Sequence, residues 1–155
     1  MASRHPEALV LGADTVVVLG KKILGKPKDK SDARAMIDML SGKTHSVLTA
    51  VALVCKECGF CASAVSKTLV VFRTLPRQER DDYFREGDWQ DKAGAYAIQG
   101  NAMSFVDRIE GCYYNVVGLP VRTTIDCFTE YASLKDAFQQ GLVSKGQHAW
   151  PTKTN

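Results

Sequence analysis

Residues 44–54, THSVLTAVALV, and residues 62–75, ASAVSKTLVVFRTL, decide the fold. Both runs are long and rich in β-branched residues. Only Cys55-Lys56-Glu57-Cys58-Gly59-Phe60-Cys61 separates them, so the pair is predicted to form a β-hairpin with a long tip. Upstream, residues 8–19 make one apolar run interrupted by Gly12-Ala13-Asp14-Thr15. A run of that kind suits a strand covered on both faces. Gly20-Lys21-Lys22 signals a turn, Ile23-Leu24 a short return strand, and Gly25-Lys26-Pro27 a stiff exit from it. Residues 29–40 read as a helix: Ala33, Met36, Ile37 and Leu40 fall on one stripe, Asp29 or Ser31 can cap it, and Gly42 suits its end.

Beyond the hairpin, Pro76 fits the first position of a second helix that ends at Gly87, with Tyr83 and Phe84 packing inward. Residues 91–100 form a loop of small and functional side chains. Residues 103–109 read as a strand, and a last helix is expected from Pro120 toward Leu134. From Gly141 onward the chain is polar and irregular. The reading is a single α/β or α+β domain with a mixed sheet over residues 1–140 and a tail over 141–155.

Composition narrows the function classes. The 155 residues carry 45% hydrophobic and 24% charged side chains, which excludes disorder throughout. A net charge of +3 is too mild to mark a nucleic-acid or membrane surface. No apolar stretch reaches the roughly 18 residues of a membrane span, and the polar start Met1-Ala2-Ser3-Arg4 has no signal-peptide character. Five cysteines, an odd number, suggest reduced thiols in a cytoplasmic protein.

Asp14 is the first chemical oddity. A carboxylate inside an apolar run is costly to bury unless it is paired or binds a metal. An Asx-turn or a strand-end aspartate in water accounts for it; so does a carboxylate that holds a divalent cation or activates water. Lys26, between Gly25 and Pro27, is either a solvated charge or a point charge aimed at phosphate. Asp91 and Lys92 open the small-residue loop, where a backbone can approach a ligand closely, and Gln99 offers a donor and an acceptor to a base edge. Together these point to a pocket for a phosphorylated, heterocyclic ligand. Cys55, Cys58 and Cys61 have C-x2-C-x2-C spacing, but Val65 stands where an iron–sulfur motif needs a fourth cysteine. A zinc site would need a distant fourth ligand from His45, Cys112 or Cys127, so incidental thiols at a hairpin tip are the simpler reading. His45 is expected to satisfy a backbone group. No Gly-x-Ser-x-Gly, Walker or dinucleotide motif occurs.

Five blocks occur in order: Gly12-Ala13-Asp14-Thr15-Val16-Val17, Gly25-Lys26-Pro27, Leu40-Ser41-Gly42-Lys43-Thr44-His45-Ser46-Val47, residues 91–100 (DKAGAYAIQG) and Asn115-Val116-Val117-Gly118-Leu119-Pro120. As a set, over residues 8–134, they closely resemble the Maf family of nucleotide pyrophosphatases. The resemblance implies a mixed-sheet fold like that of the inosine-triphosphate pyrophosphatases, with a cleft between two lobes. It implies hydrolysis of nucleoside triphosphates to monophosphate and pyrophosphate with a divalent cation, magnesium or manganese. It also implies a cytoplasmic, often dimeric protein without nucleic-acid or membrane partners. Carried over, Asp14 matches the proton acceptor, Thr15 and Gln99 the specificity positions, and Lys26 a phosphate-facing lysine; on its own chemistry Asp14 is also expected to partner the metal. The Asp-Lys-Ala-Gly and Ile-Gln-Gly forms resemble the dTTP- and UTP-preferring branch.

Two departures stand beside the resemblance. Family members carry a Ser-x-Ser-Pro-Arg-Arg type phosphate loop upstream of the Asp14 block, and Ser3-Arg4 is no equivalent; the expectation is a family member lacking its N-terminal segment. Ala50 stands where the family usually has glycine. The rival expectations are a non-catalytic nucleotide-binding or dimer-forming remnant and a zinc-binding interaction module.

Overall fold

The computed structural model describes residues 1–142 together with a two-residue strand at Lys153–Thr154. Its centre is the hairpin. β3 (Thr44–Cys55) and β4 (Phe60–Phe72) pair antiparallel along their whole length, from Thr44 opposite Val71 to Cys55 opposite Phe60. β1 (Leu9–Leu19) pairs antiparallel with the other edge of β3, and β2 (Lys22–Leu24) folds back on the end of β1. β5 (Val106–Glu110) lies antiparallel along β4, giving the order β2-β1-β3-β4-β5. β6 (Lys153–Thr154) pairs parallel with β4 at Ala64 and Val65, which makes the sheet mixed. The remaining residues of the expected C-terminal tail lie outside the described residues.

Period-two alternation selects one face for burial. On β3, His45, Val47, Thr49, Val51, Leu53 and Cys55 are all buried. Their cross-strand partners Val17 on β1 and Thr68 and Val70 on β4 join them. The opposite face is only half covered. The expectation that residues 8–19 would be enclosed on both sides is corrected: Val17 alone of β1 is fully buried. Nor is the strand interrupted at Gly12-Ala13-Asp14-Thr15; it runs straight through.

Helices cover the chosen face in two groups. α1 (Lys30–Leu40) is capped by Asp29, whose carboxylate accepts from the Asp32 amide at 2.8 Å. Its stripe of Ala33, Met36, Ile37 and Leu40 is buried as the spacing required. α2 (Arg77–Glu86) buries Tyr83 and Phe84 and ends on Gly87 at φ +83°; Pro76 is its cap residue, one position earlier than read from sequence. Ion pairs Arg34–Asp81 and Arg80–Asp38 tie the two helices together. These elements enclose the larger core with Leu24, Val47, Phe72 and Phe105. α4 (Val121–Gln139) runs five residues past the expected end and closes a second, smaller core of Leu53, Cys55, Phe60, Ala62, Cys127 and Leu134. Between the groups sits the short α3 (Tyr113–Val117).

Two further expectations change. Residues 103–109 were expected to be one strand, but Asn101–Phe105 form a 3-10 turn, with Met103 65% exposed, before β5 begins. The cysteines are not all reduced. The turn after β3 brings the Cα atoms of Cys55 and Cys58 to 5.4 Å and the two are joined by a disulfide. Cys61 pairs across from Val54 on the face opposite Cys55 and is exposed. The three sulfurs therefore do not converge, and among the described residues no group of three or more His, Cys, Asp or Glu side chains could hold a metal ion.

His45 lies in the larger core, 2% exposed, with Nε2 2.8 Å from the Tyr96 hydroxyl and its ring edge against Phe72. Tyr96 is thus a side-chain partner beside the Lys43 backbone, the kind of group expected from the sequence. Burial lowers the His45 pKa from 6.5 to about 4, with the Lys43 backbone opposing more weakly. Because the folded value lies below the unfolded one, the unfolded chain binds the extra proton, and stability must fall as pH drops from about 6.5 to about 4. The loss is roughly 3 kcal/mol when complete. Urea midpoints measured across this range should show it, and His45→Gln should flatten that slope.

Candidate active site

The bare edge of β1 is where the chemistry-bearing residues gather. β2 pairs only with Val17, Val18 and Leu19, so among the described residues no strand covers residues 9–16 on that side. A cleft of about 310 Å³ opens there. Asp14 and Thr15 reach it from β1, Lys26 from the connection between β2 and α1, and Asp91, Lys92 and Gln99 from the loop after α2. Val116 and Val117 of α3 form part of its wall. The four residues singled out from sequence, Asp14, Thr15, Lys26 and Gln99, thus line one cavity although they are spread over 85 positions of the chain.

Each arrives for a local reason. Asp14 is exposed, and its Oδ1 accepts from the Thr15 amide at 3.0 Å. The carboxylate therefore satisfies an edge N–H that strand pairing leaves open, and still has acceptor sites for a ligand. Ala50 is the cross-strand partner of Asp14, so the position at which the chain departs from the family pattern is directly opposite this carboxylate. Thr15 alternates to the buried face, where its hydroxyl lies 2.9 Å from that of Thr49. Lys26 is exposed and held beside Pro27.

The loop that brings Gln99 is anchored with care. The Gly94 amide donates to the Gly25 carbonyl at 3.0 Å, which docks the loop against the connection that carries Lys26. The Tyr83 hydroxyl donates to the Ala95 carbonyl at 2.9 Å. Asp91 and Ala95 adopt φ of +57° and +61°, costly for non-glycine residues and held here by the surrounding contacts. Gly94 has φ +68°, and a Cβ there would lie 2.9 Å from Cγ2 of Val17.

Sequence reasoning missed the buried polar chain under the cleft. Thr49 Oγ1 donates to the Asn115 carbonyl at 2.9 Å, and Asn115 Nδ2 donates to the Val47 carbonyl and to Thr68 Oγ1, both at 3.0 Å. Thr68 Oγ1 in turn donates to the Cys112 carbonyl and accepts from the Cys112 amide, each at 3.1 Å. The available signal was phase: Thr15, Thr49 and Thr68 all fall on the core face of their strands. A larger groove of about 760 Å³ lies between residues 63–67 of β4 and α4. Ser63, Ser66, Thr123 and Thr129 line it together with Lys67, Asp126 and Glu130, and none of Asp14, Thr15, Lys26 and Gln99 reaches it.

An α/β domain with carboxylates, lysines and an amide side chain around one edge cleft has the anatomy of a small-molecule-binding domain. Within that class the chain belongs to the Maf-like protein family, whose model matches residues 1–131. It is 45% identical over 136 residues to a dTTP/UTP pyrophosphatase of Clostridioides difficile (strain 630), an alignment covering 86% of this chain and 69% of that protein. Against the dTTP/UTP pyrophosphatase of Geobacillus sp. (strain WCH70) the identity is 50% over 125 residues, 81% of this chain and 66% of the relative. The corresponding protein of Pyrococcus abyssi is 44% identical over 124 residues, 80% and 65%. The chain thus spans about two-thirds of the length of these relatives.

Replacing Gly94 by alanine tests how the loop is held. The left-handed φ and the contact with Val17 should together cost roughly 1–3 kcal/mol. The substitution should also shift the loop that brings Gln99 to the cleft, and any nucleotide affinity that depends on this loop should fall with it. Thermal unfolding and nucleotide titration of Gly94→Ala check the two effects separately.

Proposed function

We propose that this chain hydrolyses dTTP, UTP or related pyrimidine nucleoside triphosphates to the monophosphate and pyrophosphate. The observation that carries this reading is the convergence of Asp14, Lys26 and Gln99, from three separate segments, on one cleft. The relatives named as dTTP/UTP pyrophosphatases support the substrate class.

Asp14 acts as the general base. It takes a proton from a water whose oxygen attacks the α-phosphorus, the α–β bridging bond breaks, and pyrophosphate leaves with the bonding electrons. Lys26 places a compact positive charge against the phosphate oxygens where charge builds up. Gln99 and Thr15 face the base. The donor set fits a divalent cation such as magnesium: Asp14 and Asp91 are two exposed carboxylates lining the same cleft, and magnesium is commonly held by one or two carboxylates together with substrate phosphates and water. When bound, such an ion supplies charge neutralisation to the phosphates. Lys92 borders the same space and adds to the positive side of the site.

A cytoplasmic location and a homodimer without nucleic-acid or membrane partners belong to the same reading. No helix among the described residues is long and apolar enough to cross a membrane.

Asp14→Asn should lower pyrophosphate release from dTTP or UTP by about 100-fold or more, the usual scale for loss of a positioned base, with circular dichroism unchanged. Undiminished turnover would remove Asp14 from the role. Nucleotide binding without any pyrophosphate release by the parent chain would favour the non-catalytic alternative.

A further inference from the structure

The tip of the β3–β4 hairpin holds a pair of sulfurs that the cleft does not use. Cys55 ends β3, Cys58 lies in the turn that follows, and the two are joined. The turn does not need that bond for its shape. Gly59 takes a left-handed φ of +64°, its amide donates to the Lys56 carbonyl at 3.2 Å, and the ladder resumes at once with Phe60 opposite Cys55. The Glu57 amide donates to the Pro6 carbonyl at 2.8 Å and fixes the outer side of the turn. Backbone geometry therefore brings the two sulfurs together, bonded or not. A ring closed over a sequence separation of three also removes little freedom from the unfolded chain. These features describe a bond that can be made and broken within the folded protein.

The two sulfurs are unequal. Cys55 is 0% exposed and lies in the smaller core with Leu53, Phe60 and Ala62. Cys58 is half-buried at its rim, with Sγ 3.9 Å from the Tyr131 hydroxyl of α4. The Cys58 amide donates to Cys55 Sγ at 3.3 Å, so negative charge that develops on this sulfur meets a donor already in place. A thiol at Cys55 suits the same core, because free cysteine packs as a small hydrophobe. Cys61 is exposed, but it stands opposite Val54 on the other face of the sheet and does not compete for the pair.

We infer that Cys55 and Cys58 form a thiol–disulfide exchange site, with Cys58 the sulfur that an external thiol reaches and Cys55 the buried leaving group. One thiolate of a small dithiol attacks Cys58 Sγ. A new S–S bond forms there, the Cys55–Cys58 bond breaks, and its electron pair leaves on Cys55, which takes up a proton. The second thiol of the reductant then attacks its own bound sulfur and releases Cys58, which takes up another proton. Two electrons and two protons pass to the protein, and the reductant becomes a disulfide. Glutathione disulfide drives the exchange the other way. Disulfides in reducing compartments are usually of this transient kind, which reconciles the bond with the cytoplasmic location proposed above.

Cys61→Ser removes the exposed thiol and leaves four cysteines, two of them in the bond. The folded Cys61→Ser chain is treated with dithiothreitol and then with glutathione disulfide, and thiols are counted by alkylation under denaturing conditions and mass measurement. The count should rise from two to four on reduction and return to two on oxidation. Circular dichroism should stay unchanged, and the thermal midpoint should fall by less than about 10 °C on reduction. Adding Cys55→Ser should leave Cys58 carrying glutathione as a stable mixed disulfide, roughly tenfold or more above what Cys58→Ser allows on Cys55.

A bond that resists dithiothreitol until the chain unfolds would be a structural staple and would overturn the inference. So would cysteines that remain thiols under glutathione disulfide, or equal glutathione on Cys55 and Cys58. If Cys55→Ser does not fold, Cys55→Ala takes its place, and the cycle on Cys61→Ser decides the exchange by itself. None of these measurements involves a nucleotide, so their outcome is separate from that of the proposed reaction.

Discussion

The register of β3 against its two neighbours is the constraint on which the structure depends. Thr49 stands opposite Thr15 on one side and Ser66 on the other, and the same phase sets Val47 between Val17 and Thr68. A slip of one residue would turn every one of these side chains to the other face. Val17, Val47 and Val70 would leave the core, and Thr15 would leave Thr49. The hydrophobic demand that fixes the sheet therefore also fixes the hydroxyl geometry of the cleft, and the two cannot be varied independently.

Asn115 is the second element of that coupling. It sits on α3 between the larger core under α1 and α2 and the smaller one under α4, and it is fully buried. Burying a polar side chain there is costly unless it is bonded; Asn115 Oδ1 has no hydrogen-bond partner among the described residues, and Nδ2 carries the bonding. Its amide nitrogen donates to the Val47 carbonyl on β3 and to the Thr68 hydroxyl on β4. That clamps α3 onto the sheet and holds Val116 and Val117 as a wall of the cleft. An apolar residue at this position would fill the space without fixing α3 to one register. What the buried amide contributes is placement.

Much of this was legible before any coordinates. The hairpin and the stripe of α1 follow from periods of two and 3.6, which depend on neighbours in sequence, and so does the burial of Tyr83 and Phe84. The misreadings come from contacts distant in sequence. Met103 looked like a strand residue, but the chain must first turn out of the loop pinned at Ala95 and Asn101 before it reaches β4. Cys55 and Cys58 looked like two thiols of an incidental triplet, and only the tightness of the turn decides that they pair while Cys61 faces away. In the site, Asp14, Lys26 and Gln99 stood out because charge and amide groups are conspicuous among small and apolar neighbours. Thr49 did not, because a threonine in a β-branched run reads as one more strand former. Its role depends on the carbonyl of Asn115, which lies 66 positions away.

Asp14, Asp91, Lys26 and Lys92 all line the cleft, so the charged side chains lining it sum to zero. In the proposed reading a nucleoside triphosphate would bring several negative charges into that space. Two lysines already opposed by two carboxylates cannot neutralise it, and the carboxylates by themselves would repel it. The same pair of carboxylates becomes favourable only beside a compact cation, which converts them from repelling groups into ligands. An aspartate facing a polyphosphate is thus coherent with phosphoanhydride chemistry only if ion and nucleotide bind as a unit. That requirement links the position of Asp14 on an open strand edge to its chemistry: an exposed carboxylate can accept a hydrated ion arriving with its substrate, which a buried one could not.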